Sequence, residues 1–325
     1  MKQYRGLIVL ALVTAALLAA GLVLASDDES SAAPPEQTAP AATSSETPPS
    51  PDATEDPARP SGKDGLVYDP RARERNVRIT AASYIALDAS TGEVLIAHRD
   101  RQKRPIASLT KMMTALLVIE GGHLDRLVEV PFVATQVEPN AEGIVAGQEI
   151  SRRLLLFSTM LESANDSATA LAYDSGSGSL ARFFRKMNAR ARQLGMSDTR
   201  YRSASGLHDD VNWSSARDQA VLARAALQDP TFAKVVRTRR KSVEWPPPTY
   251  EKEWVNHNEL LASYAGAYGV KTGFTREAGN CLVAAARRDG RSVIAVVLGS
   301  QSIYYDMPRL LNRAFTLLGA VPAAA

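Results

Sequence analysis

Three short strings hold the residues best suited to chemistry. Ser108-Leu109-Thr110-Lys111 pairs a hydroxyl with an amine, Ser163-Ala164-Asn165 pairs a hydroxyl with an amide, and Lys271-Thr272-Gly273 adds a second cation. A serine three residues before a lysine arises by chance about once in a chain of this length. Each string nevertheless occurs once, in the order Ser-x-x-Lys, Ser-x-Asn, Lys-Thr-Gly. Together the strings predict acyl transfer through a serine nucleophile.

The first string supplies a nucleophile and its base. Ser108 and Lys111 share one face of a helix, so the amine is placed to take the proton of the hydroxyl. An ordinary lysine stays protonated at neutral pH. Burial and the second cation, Lys271, are therefore predicted to lower the pKa of Lys111. The helix N-terminus favours negative charge on the Ser108 oxygen, and backbone N–H groups there are placed to stabilise an oxyanion.

The other two strings are suited to binding a peptide. Ser163 is predicted to pass a proton between the amine and the leaving group, and Asn165 to hold a peptide backbone through its amide. Lys271 and Thr272 are predicted to bind a substrate carboxylate. Gly273 permits close approach of a ligand, so that a short peptide adds to the strand edge.

Less specific interpretations of the same residues remain open at this stage. Ser108 alternatively caps a helix while Lys111 reaches the surface, and residues 163–166 alternatively form a capped turn. Cys281 is interpreted as a small buried strand residue. The four histidines lack metal-ligand spacing and are interpreted as surface or loop residues without chemistry: His98, His123, His208 and His257. Neither a cofactor nor a metal is predicted.

The elements that carry these strings indicate an α+β fold. Five strands are predicted, at residues 84–88, 93–97, 269–275, 281–286 and 292–298, and they suggest a five-stranded antiparallel sheet. Apolar residues at helical spacing predict a buried helix over residues 109–119 and further helices after Ser179 and over residues 215–228. Strands at both ends with helices between them predict an inserted all-helical lobe, and a cleft between sheet and lobe is the expected site.

Composition divides the 325 residues into three segments. Residues 6–25 form an uncharged apolar run after Lys2 and Arg5, which predicts either a signal segment or a membrane anchor. Residues 26–64 contain eight prolines and a net charge of −7, which is typical of a disordered spacer. Residues 65–325 form the predicted catalytic domain. Its net charge of +8 suits an anionic surround such as cell-wall polymer, or is an ordinary solvated surface.

Over residues 80–318 the chain resembles the penicillin-binding D-alanyl-D-alanine carboxypeptidases. The likeness rests on the three strings and on Pro105-Ile106-Ala107-Ser108, Gly206-Leu207 and Lys271-Thr272-Gly273-Phe274-Thr275. The resemblance implies a β-lactamase/transpeptidase-like fold. It also implies a serine hydrolase outside the cytoplasm that trims the terminal D-alanine of peptidoglycan pentapeptides and is acylated by β-lactams. Ser108 would be the nucleophile, Lys111 its base, and the N–H groups of Ser108 and Phe274 the oxyanion hole.

Three other functions are weighed beside this one. A class A β-lactamase requires a further glutamate between the second and third strings, and residues 163–243 contain none. A D-alanyl endopeptidase remains open, because the sequence does not reveal the width of the cleft. A catalytically dead wall-binding protein is disfavoured by the intact strings. No nucleic-acid partner is predicted, and the sequence makes no prediction about the oligomeric state.

Overall fold

A six-stranded sheet supports the site in the computed structural model, which describes residues 64–137, 139–207, 212–246 and 250–320. These residues belong to one compact unit, Glu55–Ala325. The strands are β1 Val67–Tyr68, β2 Ser83–Asp88, β3 Glu93–His98, β4 Leu127–Glu129, β5 Glu149–Ser151, β6 Arg240–Trp245, β7 Tyr250–Val255, β8 Ala267–Thr275, β9 Gly279–Arg288 and β10 Arg291–Ser300. The main sheet has the order β1-β3-β2-β10-β9-β8.

The prediction of five strands is wrong by one edge strand. All five predicted strands are present, and they pair with one another in antiparallel fashion. The sixth, β1, runs parallel to β3 and pairs Val67 with Glu93 and Tyr68 with Val94. A strand of two residues has no alternation that a sequence could display, and its position depends on the tertiary contact alone.

Eight α-helices surround the sheet in the described residues: α1 Lys111–Glu120, α2 Arg152–Leu161, α3 Asn165–Ser175, α4 Leu180–Gln193, α5 Ala216–Ala226, α6 Pro230–Arg237, α7 Leu260–Ser263 and α8 Ile303–Leu317. The three predicted helices correspond to α1, α4 and α5. The hydroxyls of Ser179 and Ser215 cap α4 and α5 as N-caps do. Asp229-Pro230 follows the predicted helix over residues 215–228 and begins α6, because Asp229 accepts the N–H groups of Thr231 and Phe232.

Two apolar layers lie on opposite faces of the sheet. Along β10, Ile294, Val296 and Leu298 pack into the cluster shared with the helical lobe. The alternating residues Val293, Ala295 and Val297 pack against α8. Successive side chains of a strand point to opposite faces, so β10 is buried on both faces of the sheet. The sheet therefore gives the cleft on the lobe side a rigid support.

The predicted N-terminal segments lie outside the described residues. Residues 6–25 and nearly all of residues 26–64 belong to that part of the chain. Among the residues that the structure does describe, no helix combines the length and the apolar character needed to cross a bilayer.

Candidate active site

The three strings meet at one cavity of about 340 Å³ between β8 and the helical lobe. Six of the eight residues predicted as site residues line it: Ser108, Ser163, Asn165, Thr272, Gly273 and Phe274. The other two, Lys111 and Lys271, lie directly behind this lining, with exposed fractions of 0% and 2%. Both amines are therefore shielded from bulk water.

Ser108 lies on a 3₁₀ turn, Ala107–Thr110, that precedes α1. In a 3₁₀ helix residues three apart are eclipsed, so this turn brings Ser108 and Lys111 to the same side. Lys111 Nζ is 2.8 Å from Ser108 Oγ. Ile106 occupies the N-cap position, and Lys111 is fully buried, so the interpretation of Ser108 as a cap beside a surface lysine is wrong.

The Lys111 amine has three oxygen neighbours, and two of them only accept hydrogen bonds. Nζ lies 2.7 Å from Asn165 Oδ1 and 2.8 Å from the Ser205 carbonyl oxygen. As an ammonium, Nζ can donate to all three oxygens, as the three short distances allow. In the neutral form it would keep two N–H donors for Asn165 Oδ1 and the Ser205 carbonyl, and its lone pair would be left to accept the Ser108 hydroxyl proton.

Electrostatics favour the neutral amine. Burial lowers the pKa of Lys111 well below its usual 10.5, the Lys271 cation lowers it further, and Asp166 acts in the opposite direction. Burial also lowers the pKa of Lys271, to about 7. The direction for Lys111 agrees with the sequence-based expectation that burial and a second cation would lower its pKa.

The second string forms the turn between α2 and α3. Ser163 has φ of 59°, a strained value for a residue with a side chain, and such strain is concentrated at functional sites. Its hydroxyl makes no hydrogen bond to another described residue. Residues 163–166 do form a turn that begins α3, as the alternative interpretation has it, but Ala164 is the N-cap and no side chain caps the helix.

Sequence reasoning missed the loop that fixes Asn165. The Asn165 amide nitrogen donates to the Pro139 carbonyl, and its backbone N–H donates to the Asn140 carbonyl at 2.8 Å. This contact orients the amide so that Oδ1 faces Lys111. The Asp166 carboxylate holds the same loop by accepting the N–H groups of Glu142, Gly143 and Ile144.

Strand β8 lies at the edge of the sheet and packs against the 3₁₀ turn that carries Ser108. A Cβ at Gly273 would lie 3.0 Å from the Ser108 nitrogen and 3.1 Å from the Ile106 carbonyl oxygen. Gly273 is thus required for packing of the turn, which is a different reason from the predicted approach of a ligand. Phe274 is exposed at the mouth of the cavity.

His257 also lines the cavity, although it was interpreted as a surface or loop residue without chemistry. Its Nε2 lies 3.6 Å from Glu162 Oε2. No motif or spacing marks this histidine, and only the folded loop after β7 brings it to the site. His98 and His123 are not among the lining residues, and His208 lies outside the described residues.

Comparisons with known proteins agree with this geometry. The family model described as D-alanyl-D-alanine carboxypeptidase matches residues 70–302. The D-alanyl-D-alanine carboxypeptidase of Streptomyces sp. strain K15 is 35% identical over 257 residues, 74% of this chain and 88% of the relative. The D-alanyl-D-alanine endopeptidase of Escherichia coli K12 is 33% identical over 259 residues, 76% and 81% of the two chains. The crystal structure of the Streptomyces K15 DD-transpeptidase superposes with a TM-score of 0.71 at 33% identity, covering 74% and 99%.

Proposed function

The chain belongs to the D-alanyl-D-alanine carboxypeptidase family, and from this premise we propose that it removes the terminal D-alanine from peptidoglycan pentapeptides. The reaction passes through an acyl-enzyme on Ser108, and β-lactams acylate the same serine. The observation that carries the proposal is the buried Lys111 amine, which lies 2.8 Å from Ser108 Oγ and whose two other oxygen neighbours can only accept hydrogen bonds.

Acylation divides into proton transfers that these residues can perform. Ser108 Oγ attacks the carbonyl carbon of the penultimate residue as its proton moves to Lys111 Nζ. The N–H groups of Ser108 and Phe274 stabilise the oxyanion. As the peptide bond breaks, Ser163 passes the proton from Lys111 to the leaving amine of D-alanine. Water then hydrolyses the ester and frees Ser108.

Substrate binding uses the two walls of the cavity. The peptide adds to the edge of β8, and the Asn165 amide binds the substrate backbone from the opposite wall. Lys271 and Thr272 bind the terminal carboxylate. The Lys271 amine makes one hydrogen bond, to the Thr272 carbonyl oxygen at 3.1 Å, so a bound carboxylate would supply a charged partner.

Labelling with a fluorescent penicillin tests this function together with D-alanine release from a pentapeptide. We expect both activities in the natural chain and their loss in Ser108→Ala. Ser242→Ala, at an exposed serine on β6, is the matched control and should retain both. Absence of label and of D-alanine release in the natural chain would instead favour a wall-binding protein without catalysis.

A D-alanyl endopeptidase is the second candidate, because an endopeptidase relative matches at 33% identity. The two activities use the same acyl-enzyme and differ in the leaving group. Incubation with a cross-linked peptide dimer and with a pentapeptide monomer distinguishes them. Faster cleavage of the dimer would assign the endopeptidase activity.

Hydrolysis of β-lactams is expected to be slow. After Ser163 the chain contains no glutamate before Glu244, which is exposed on β6 and does not line the cavity. Glu142, a buried glutamate near the second string, binds Ser158 and Trp254 and pairs with Lys252. With its carboxylate engaged in this way, Glu142 does not activate a deacylating water.

The N-terminal segments complete the proposal. Residues 6–25 anchor the chain in the membrane or are removed as a signal, residues 26–64 act as a spacer, and the catalytic domain works outside the cytoplasm. Mass spectrometry of the mature N-terminus distinguishes cleavage after Ala25 from an uncleaved anchor.

Thr272→Ala tests the carboxylate assignment. Loss of this hydroxyl should lower kcat/KM by about tenfold for substrates with a free terminal carboxylate. Substrates with an amidated terminus should be much less affected, because they lack the charge that the hydroxyl and Lys271 bind. D-alanine or D-alaninamide release measures both rates. Equal losses for the two substrates would contradict the assignment.

A further inference from the structure

His257 occupies a distinctive place in the cavity. Of the described residues that line it, His257 is the one able to carry a positive charge, since Lys111 and Lys271 lie behind the lining. Its backbone N–H donates to the Leu161 carbonyl on the lobe side, and its carbonyl accepts from the Tyr304 hydroxyl on α8 at 2.9 Å. His257 therefore joins the two sides of the cleft at one end of the cavity.

Glu162 holds the imidazole from the lobe side. Glu162 Oε1 accepts the Val255 N–H at 2.7 Å, which fixes the carboxylate, and Oε2 lies 3.6 Å from His257 Nε2. The His257 side chain is 47% exposed and that of Glu162 is 32% exposed. His257 thus lines the cavity, and Glu162, held by the backbone, stands behind the imidazole at 3.6 Å.

The charge of this pair depends on the imidazole. With a neutral ring the pair carries one negative charge from Glu162, and with a protonated ring it carries none. Burial lowers the pKa of His257, the Lys271 cation lowers it further, and Glu162 raises it. Tyr304 on α8 and Glu259 on the same loop are the other titratable groups packed nearby. At neutral pH and above, the net negative state is therefore the populated one.

We propose that His257 and Glu162 form a charge-selective wall that discriminates against substrates bearing a second carboxylate and favours peptides in which that group is an amide. This inference rests on the proposed function, because it names the substrate class of the same site. The second carboxylate is distinct from the terminal one held at Lys271 and Thr272. Repulsion from Glu162 weakens binding of the free acid, and protonation of His257 removes that repulsion.

Paired peptides provide the test. Both peptides of a pair end in D-alanyl-D-alanine. They differ in one side chain, which carries a carboxylate in one peptide and the corresponding carboxamide in the other. This side chain is placed in turn at each of the three residues that precede D-alanyl-D-alanine. At pH 8 the natural chain should prefer the amide about threefold to fivefold in kcat/KM at one position or more. Glu162→Gln keeps an acceptor for the Val255 N–H and should abolish the preference. Glu259→Gln is the matched control. It also removes one negative charge, two residues from His257, and should retain the preference for the amide.

The pH dependence identifies the imidazole. As the pH falls from 8 to 5.5 the natural chain should lose its preference for the amide, whereas His257→Gln should keep more of it. Burial lowers the pKa of Lys271 to about 7. Lys271 is present in both proteins, so the ratio of their selectivities at each pH reports His257. An unchanged preference in Glu162→Gln, identical pH profiles for the natural chain and His257→Gln, or no preference at any position would overturn the proposal.

A binding measurement separates this inference from the proposed function. The same peptide pairs are titrated into Ser108→Ala, with and without Glu162→Gln, and Kd is measured by calorimetry. If the natural chain releases no D-alanine but Ser108→Ala binds the amide more tightly than the acid, and Glu162→Gln removes this difference, the carboxypeptidase activity is contradicted and the wall is supported. If the natural chain releases D-alanine but the acid and the amide bind with equal Kd values with and without Glu162→Gln, the wall alone is overturned.

Discussion

Lys111→Ala should lower the rate of acylation by penicillin about 10³-fold while the fold persists. In the proposed mechanism the amine takes the Ser108 proton, and no other described side chain forms a hydrogen bond with Ser108 Oγ. The measurement is the second-order rate constant for labelling with a fluorescent penicillin. Circular dichroism and thermal unfolding show whether the variant remains folded.

Lys103→Ala is the matched control for this variant, because Lys103 is an exposed lysine in the segment before the 3₁₀ turn that carries Ser108. It should label at the rate of the natural chain. Near-normal labelling of folded Lys111→Ala would mean that another group accepts the proton.

Gly206→Ala should lower the stability of the fold and also slow acylation of Ser108. A Cβ at Gly206 would lie 1.9 Å from the Ala107 carbonyl oxygen, and the glycine has φ of +92°. The clash falls on the turn that carries Ser108. We expect a loss of about 2–4 kcal/mol in the free energy of unfolding. We also expect acylation to be about 10²-fold slower, because small displacements of a nucleophile are costly.

Gly147→Ala controls for the backbone conformation. Gly147 has φ of +80° and nothing within 4 Å of its virtual Cβ, so alanine there carries the conformational cost without the clash. Denaturant unfolding and labelling of both variants separate the two effects. A Gly206→Ala protein that labels normally would show that the Ser108 turn tolerates displacement.

The chemistry of the site was predictable where it depends on short-range spacing. Ser108 and Lys111 are three residues apart, so local geometry alone brings the hydroxyl and the amine together. The five long strands were predictable from their alternation and turns. Strand β1 was not, because two residues carry no pattern.

The rest of the site depends on contacts between distant segments. The orientation of Asn165 is set by Pro139 and Asn140, and the second fixed acceptor for Lys111 is the backbone of Ser205. A backbone carbonyl has no side-chain signature in a sequence. His257 reaches the cavity through the loop after β7, which no periodicity describes. Such residues become visible only when the chain is folded.

The pH dependence of acylation by a carboxyl-free β-lactam, such as a penicillin methyl ester, tests the central claim most directly. Without a carboxylate on the ligand, the titration of Lys271 no longer changes ligand binding through that group and acts on the rate through the pKa of Lys111. If Lys111 activates Ser108 as a neutral amine, the rate should rise through a pKa well below 10.5 and level off below the pH range in which an ordinary lysine titrates. A rate that keeps rising tenfold per pH unit through about pH 10 would contradict the account, because that profile belongs to an ordinary lysine.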